Sequence, residues 1–181
     1  MSFRKSILVL AVLAGPTVVS AGVLAEQAEP APGPRYAVGV SLGWVVANGL
    51  SYRHYLGPAY VQGTFAGMID KEVDEEYVDA SISYGRYLNQ FELGAGHFPV
   101  GVKAVGGLEL EHKQGIFGND PGEVTNKTHT GVGLGVDFGN PGARGMVFSM
   151  DIIYTATFKG FRDWEFVELG LLPSASVHYN F

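Results

Sequence analysis

Ser176 and His178 stand two residues apart near the end of the sequence. On an extended strand both side chains face the same way. A hydroxyl beside an imidazole is the beginning of a nucleophile–base pair, and hydrolytic chemistry also needs a carboxylate against the imidazole. The nearest acid in sequence on the same face is Asp151. If the connecting hairpin closes near Phe161 and Arg162, Asp151 pairs near Leu172, about six residues or roughly 20 Å from His178 at ~3.3 Å per residue. The triad fails on that register, and no enzyme is expected. A second cluster is acidic: Asp70, Glu72, Asp74, Glu75 and Glu76. It lacks the glycine and the spacing of a calcium loop and reads as a solvated loop. The chain has no cysteine, which excludes thiolate chemistry, disulfides and cysteine metal sites. No cofactor and no metal site is expected.

The elements that position such residues must be strands. Of 181 residues, 26 are glycine and 12% are aromatic. Glycine costs a helix ~1 kcal/mol per residue. It suits a curved sheet, where bare backbone makes room for large neighbours. Residues 1–25 read as a secretory signal peptide: Arg4 and Lys5, an apolar run from Ile7 to Ala14, then small-residue sites ending at Ala21 or Ala25. The run is too short to span a membrane as a helix, which needs about 20 apolar residues. Its removal leaves about 156 residues and takes the formal charge from −6 to −8. So acidic a chain argues against nucleic-acid binding. Residues 26–34 (EQAEPAPGP) read as a flexible lead.

From Tyr36 onward the apolar period is two. Eight segments follow from the alternation, at residues 35–45, 49–56, 59–69, 77–87, 98–112, 129–138, 146–158 and 166–181. In the first, Tyr36, Val38, Val40, Leu42 and Trp44 oppose Ala37, Gly39, Ser41 and Gly43. In the sixth, Val132, Leu134, Val136 and Phe138 oppose Gly131, Gly133, Gly135 and Asp137. Residues 70–76, 113–128 and 159–165 read as loops, and residues 88–97 as a longer connection. Several segments reach ten residues, the length of a tilted membrane-spanning strand rather than a soluble one.

One face of the segments is bulky and apolar, and the other carries glycine, serine, alanine and charges. The second segment is ambiguous, with Ser51, Arg53 and Tyr55 set against Leu50, Tyr52 and His54. Eight strands enclose room for little more than side chains. The bulky face would overfill that space, so it is expected outside, against lipid, with the polar face within. Closure matters, because hydrocarbon offers unpaired backbone groups no water.

These features, with the signal peptide and the final Tyr179-Asn180-Phe181, resemble the superfamily of small eight-stranded outer-membrane barrels that includes the OmpA membrane domain, OmpX and OmpW. The resemblance is architectural and covers residues 35–181. It implies an all-β, antiparallel, up-and-down transmembrane barrel in a Gram-negative outer membrane. It also implies that Tyr179 and Phe181 serve as the signal read by the barrel-insertion machinery. Unlike full-length OmpA, the protein is expected to carry no peptidoglycan-binding domain. Some barrels of this kind modify lipid A, but the His-x-Ser arrangement of the lipid A deacylases is absent here.

The inward face holds Arg53, Asp79, Lys103, Glu109, Glu111, Asp137 and Asp151. Charges in a small dry interior must be paired. If the fifth hairpin centres near Asp120, Lys103 faces Asp137, and an ion pair is expected there. The resulting expectation is a monomer with a plugged interior, whose residues 113–128 and 159–165 make surface contacts. Lys113, Lys127, Lys159 and Arg162 lie where lipopolysaccharide phosphates would be met. A narrow pore for small solutes and a soluble periplasmic ligand-binding barrel are the alternatives.

Overall fold

The computed structural model describes residue 33 and residues 35–70, 75–114, 124–161 and 164–181. The expected signal peptide and almost all of the lead lie outside them. The described residues form eight strands: β1 (Tyr36–Gly43), β2 (Gly49–Leu56), β3 (Ala59–Asp70), β4 (Glu75–Leu93), β5 (Phe98–Gln114), β6 (Val124–Phe138), β7 (Gly145–Lys159) and β8 (Glu165–Asn180). Each pairs antiparallel with the next, and β1 closes on β8 through pairs such as Val40↔Val177, so the sheet is a closed barrel. Closure leaves no strand edge unpaired.

The period of two decides what faces where. Leu42, Leu50, Leu134, Met150, Ile152 and Leu171 are all at least 58% exposed on the outside. Arg53, Lys103, Glu109, Asp137, His129 and His178 are at most 1% exposed within. Inner glycines make the room. A methyl group on Gly85 would enter the ring of Tyr60, and one on Gly135 would collide with the Asp151 carboxylate.

The strands outrun the segments read from the sequence. Residues 88–97 do not form a loose connection: β4 continues to Leu93, turns at 94–97, and pairs back from Phe98, past a register shift between Tyr87 and Asn89. At the edges of the acidic run 70–76, Asp70, Glu75 and Glu76 belong to strands, since Asp70 pairs with Glu75 and Ile69 with Glu76; residues 71–74 lie outside the described residues. Likewise Lys113 pairs with Thr125, and Gln114 with Val124, inside the expected loop 113–128.

Trp44, expected on the outer face, packs inward instead. β1 ends at Gly43, and Val45 and Ala47 take left-handed φ values of 70° and 56°. The reversal breaks the alternation and turns the link 44–48 into the barrel, where Val45, Val46 and Ala47 are buried. A β-branched residue at positive φ is strained and persists only where its surroundings hold it.

Candidate functional site in the barrel interior

Glycine rows let inner side chains meet across an intervening strand. Lys103 on β5 pairs with Gly135 on β6, and Gly135 pairs with Asp151 on β7. With no side chain between them, Lys103 Nζ comes 3.0 Å from Asp151 Oδ1. Ser51, Gly39 and His178 repeat the pattern across β2, β1 and β8. Ser51 Oγ lies 2.7 Å from His178 Nε2. Val105, Gly133 and Ile153 do so again, and their apolar contact joins Val45 and Val46 of the inturned link.

The first cluster is charge-balanced. Lys103 does not face Asp137 in register, since Asp137 pairs with Gly101. The lysine reaches diagonally instead, placing Nζ 2.5 Å from Asp137 Oδ1. Arg53 Nη1 donates to Asp137 Oδ2 at 3.3 Å. Its Nε and Nη2 donate to Gln62 Oε1 at 3.1 and 2.9 Å, and Nη2 to Ser149 Oγ at 3.2 Å. The Tyr87 hydroxyl donates to Asp137 Oδ2 at 2.5 Å. The Tyr60 ring lies under both cations, 4.1 Å from the Arg53 guanidinium carbon and 5.4 Å from Lys103 Nζ. Arg53 and Lys103 therefore balance Asp137 and Asp151. Ser174 Oγ donates to Asp151 Oδ2 at 3.4 Å.

The second cluster lies toward the end where the link folds in, and it is acidic. Asp79 and Glu109, expected in ion pairs, accept neutral donors instead. Asn48 gives Asp79 Oδ2 its backbone N–H at 2.9 Å and its side-chain amide at 3.0 Å, and the Tyr77 hydroxyl adds a third bond at 2.8 Å. The Val45 N–H donates to Glu109 Oε2 at 2.5 Å. The physical reason is the inturned link, which brings the Val45 and Asn48 donors to these two carboxylates. Glu111 does meet a cation, with Lys113 Nζ 3.0 Å from Oε1. His129 lies beside this cluster, with Trp44 packed edge-on at 4.7 Å.

The Ser176–His178 pairing does not form; the serine beside His178 is Ser51. Asp151 pairs with Ser174 rather than Leu172, because the hairpin pairs Lys159 with Glu165, one position from the expected register, and the register shifts by one more between Thr157 and Phe158. It remains four positions from His178 along β8, and among the described residues His178 Nδ1 has no hydrogen-bond partner. Among the described residues no acid hydrogen-bonds this imidazole, so no third member of a hydrolytic triad stands beside the pair.

Of the basic residues expected to meet phosphates, Lys113 is committed to Glu111 and lies 5.7 Å from the Tyr77 ring. Lys159 is exposed and Lys127 half-buried, and they face each other in register. Arg162 lies outside the described residues. Tyr179 and Phe181 are exposed on the outer face, and Arg144 Nε donates to the Tyr179 hydroxyl at 3.2 Å. Sequence reading missed Tyr60, Gln62, Tyr87 and His129. The signal was there, since each is in phase with inward neighbours, as His129 is with Gly131 and Gly133.

No family model matches the chain, and no curated protein matches it significantly. Among solved structures, the fold is similar to the N-terminal β-barrel domain of Pseudomonas aeruginosa OprF. The TM-score is 0.50 at 12% identity, over 82% of this chain and 99% of that one. At such low identity the likeness is one of fold: both are β-barrels.

Proposed function

We propose that the chain is a Gram-negative outer-membrane barrel protein, structural or surface-interacting rather than enzymatic, with its interior sealed by its own side chains. One observation carries this reading. A closed ring presents a continuous apolar outer face, while Arg53, Lys103, Asp137 and Asp151 balance one another at its centre. Such a face is costly in water and favourable in hydrocarbon. Such a centre blocks an eight-stranded lumen, which is narrow to begin with. The inturned link adds Val45, Val46 and Trp44 across the space above.

The barrel then serves as an anchor for the connections β3–β4, β5–β6 and β7–β8, which all leave from the same end as the link. Lys127 and Lys159 sit at that end, placed to meet lipopolysaccharide phosphates. Tyr179 and Phe181, at the other end, fit the insertion signal.

Cell fractionation with heat-dependent gel mobility tests the location: the protein is expected in the outer membrane, with a mobility shift on boiling. Recovery in the soluble periplasmic fraction would contradict it. Planar-bilayer recording tests the seal. Purified protein is expected to give no stepwise current, whereas reproducible steps would favour a narrow pore for small solutes.

A further inference from the structure

Glu109, Glu111 and His129 are each at most 3% exposed. Each offers one ligand atom, and the three atoms lie within 4.8 Å of one another. The strand registers impose this. Glu109 pairs directly with His129 across β5 and β6, and Glu111 is the next inward residue of β5. Asp79 pairs directly with Glu111 from β4.

Three observations give the cluster a direction. First, among the described residues its charge does not close. Asp79, Glu109 and Glu111 bring three carboxylates, and the described cation in salt-bridge contact with them is Lys113. A buried charge left uncompensated is strongly unfavourable, and a dication supplies the missing balance. Second, among the described residues Asp79 Oδ1, Glu109 Oε1 and His129 Nε2 are buried without a hydrogen-bond partner. Buried polar atoms are normally satisfied, so these call for a cation, or for a proton shared by the two carboxyl groups, between them. Third, the imidazole is oriented as a ligand. Its Nδ1 lies 3.0 Å from Thr157 Oγ1. An Nδ1–H donated to that hydroxyl leaves the Nε2 lone pair facing the carboxylates, 4.0 Å from Glu111 Oε2. A second partner of this kind fixes metal-binding histidines.

We propose that Glu109, Glu111 and His129 bind a divalent transition-metal ion inside the barrel, beneath the inturned link 44–48, with Asp79 as a further carboxylate beside it. The imidazole sets the class, since nitrogen and oxygen donors together suit zinc and its neighbours, whereas calcium and magnesium take oxygen alone. Binding requires the three groups to draw in by roughly 1 Å to reach zinc–ligand distances. The proposal does not depend on where the barrel resides.

The test uses untagged full-length protein, folded in detergent, stripped with chelator and titrated with zinc chloride in a calorimeter. One zinc per chain is expected, with calcium and magnesium much weaker. Cobalt(II) should give the visible absorption of a nitrogen- and oxygen-ligated ion. His129→Gln and Glu109→Gln should each weaken zinc binding at least ~10-fold, and Thr157→Val by ~10-fold through the lost orientation of the ring. His112→Gln, outside the cluster, should leave it unchanged. No zinc uptake by the wild-type chain would overturn the proposal. So would calcium binding as tightly as zinc, or undiminished zinc binding by folded His129→Gln. Such results would leave a proton held by Glu109 or Asp79 as the explanation of the cluster.

Discussion

Replacing Asp137 with Asn is expected to lower the unfolding free energy of the barrel by about 3–5 kcal/mol, the range for removing one partner of a buried ion pair. Asp137 is the acid that Arg53 and Lys103 share, and it also accepts from Tyr87. Without its charge two buried cations face Asp151 alone. The prediction has an internal check. Adding Lys103→Met to Asp137→Asn returns the cluster to one cation and one acid. The double variant should therefore be more stable than Asp137→Asn by itself, with a coupling of about 1–3 kcal/mol. Urea unfolding of protein folded into lipid vesicles measures both. A loss under ~1 kcal/mol for Asp137→Asn would mean that the cluster is hydrated and the interior is not sealed.

The second large effect is expected on the outside. Leu134 lies on β6 between Ala104 and Ile152, 60% exposed and away from the strand ends. Leu134→Arg should cost about 2–4 kcal/mol in vesicles, the range for a cation near the bilayer midplane of a barrel. Val124→Arg, at the start of β6, should cost about 0–1 kcal/mol, as near an interface. The gradient is the signature. A barrel in water would tolerate both substitutions equally, since an exposed leucine gains nothing from staying apolar there.

Most of the fold was legible because two physical rules act along the whole chain. Strand alternation separates the faces, and the small interior of eight strands assigns the bulky face to the outside. The row Gly131, Gly133, Gly135 and Asp137 against Val132, Leu134, Val136 and Phe138 is the plainest instance. What escaped lies where the alternation is interrupted. Trp44 lies between Gly43, where β1 ends, and Val45, which turns left-handed, and no pattern in the sequence announces that reversal. Residues 88–97 follow a register shift that changes the phase of β4.

The interior site was legible in composition but not in pairing. Alternation places Arg53, Lys103, Asp137 and Asp151 on the inward face, whereas their contacts depend on register. The connection of residues 115–123 is too long to fix register from sequence, and the true pairing of Lys103 with Gly135 is two positions from the expected one. The lysine stem spans that difference, so the contact with Asp137 survives the error. The Asp79–Glu109–Glu111–His129 cluster had no such tolerance. Its character comes from the inturned link and from a histidine that the sequence alone left at the margin of a strand.

Above all, the outer face is expected to meet acyl chains. The absence of native cysteine allows single cysteines to be introduced and spin-labelled without background. Labels at Leu134, Ile152 and Leu171, in protein folded into vesicles, should collide freely with dissolved oxygen and hardly at all with a water-soluble nickel chelate. Labels at Asn140 and Lys159, beyond the apolar band, should show the reverse. If the labels at Leu134 and Ile152 met the nickel chelate as readily as the one at Lys159, the face would be in water and the central claim would be wrong.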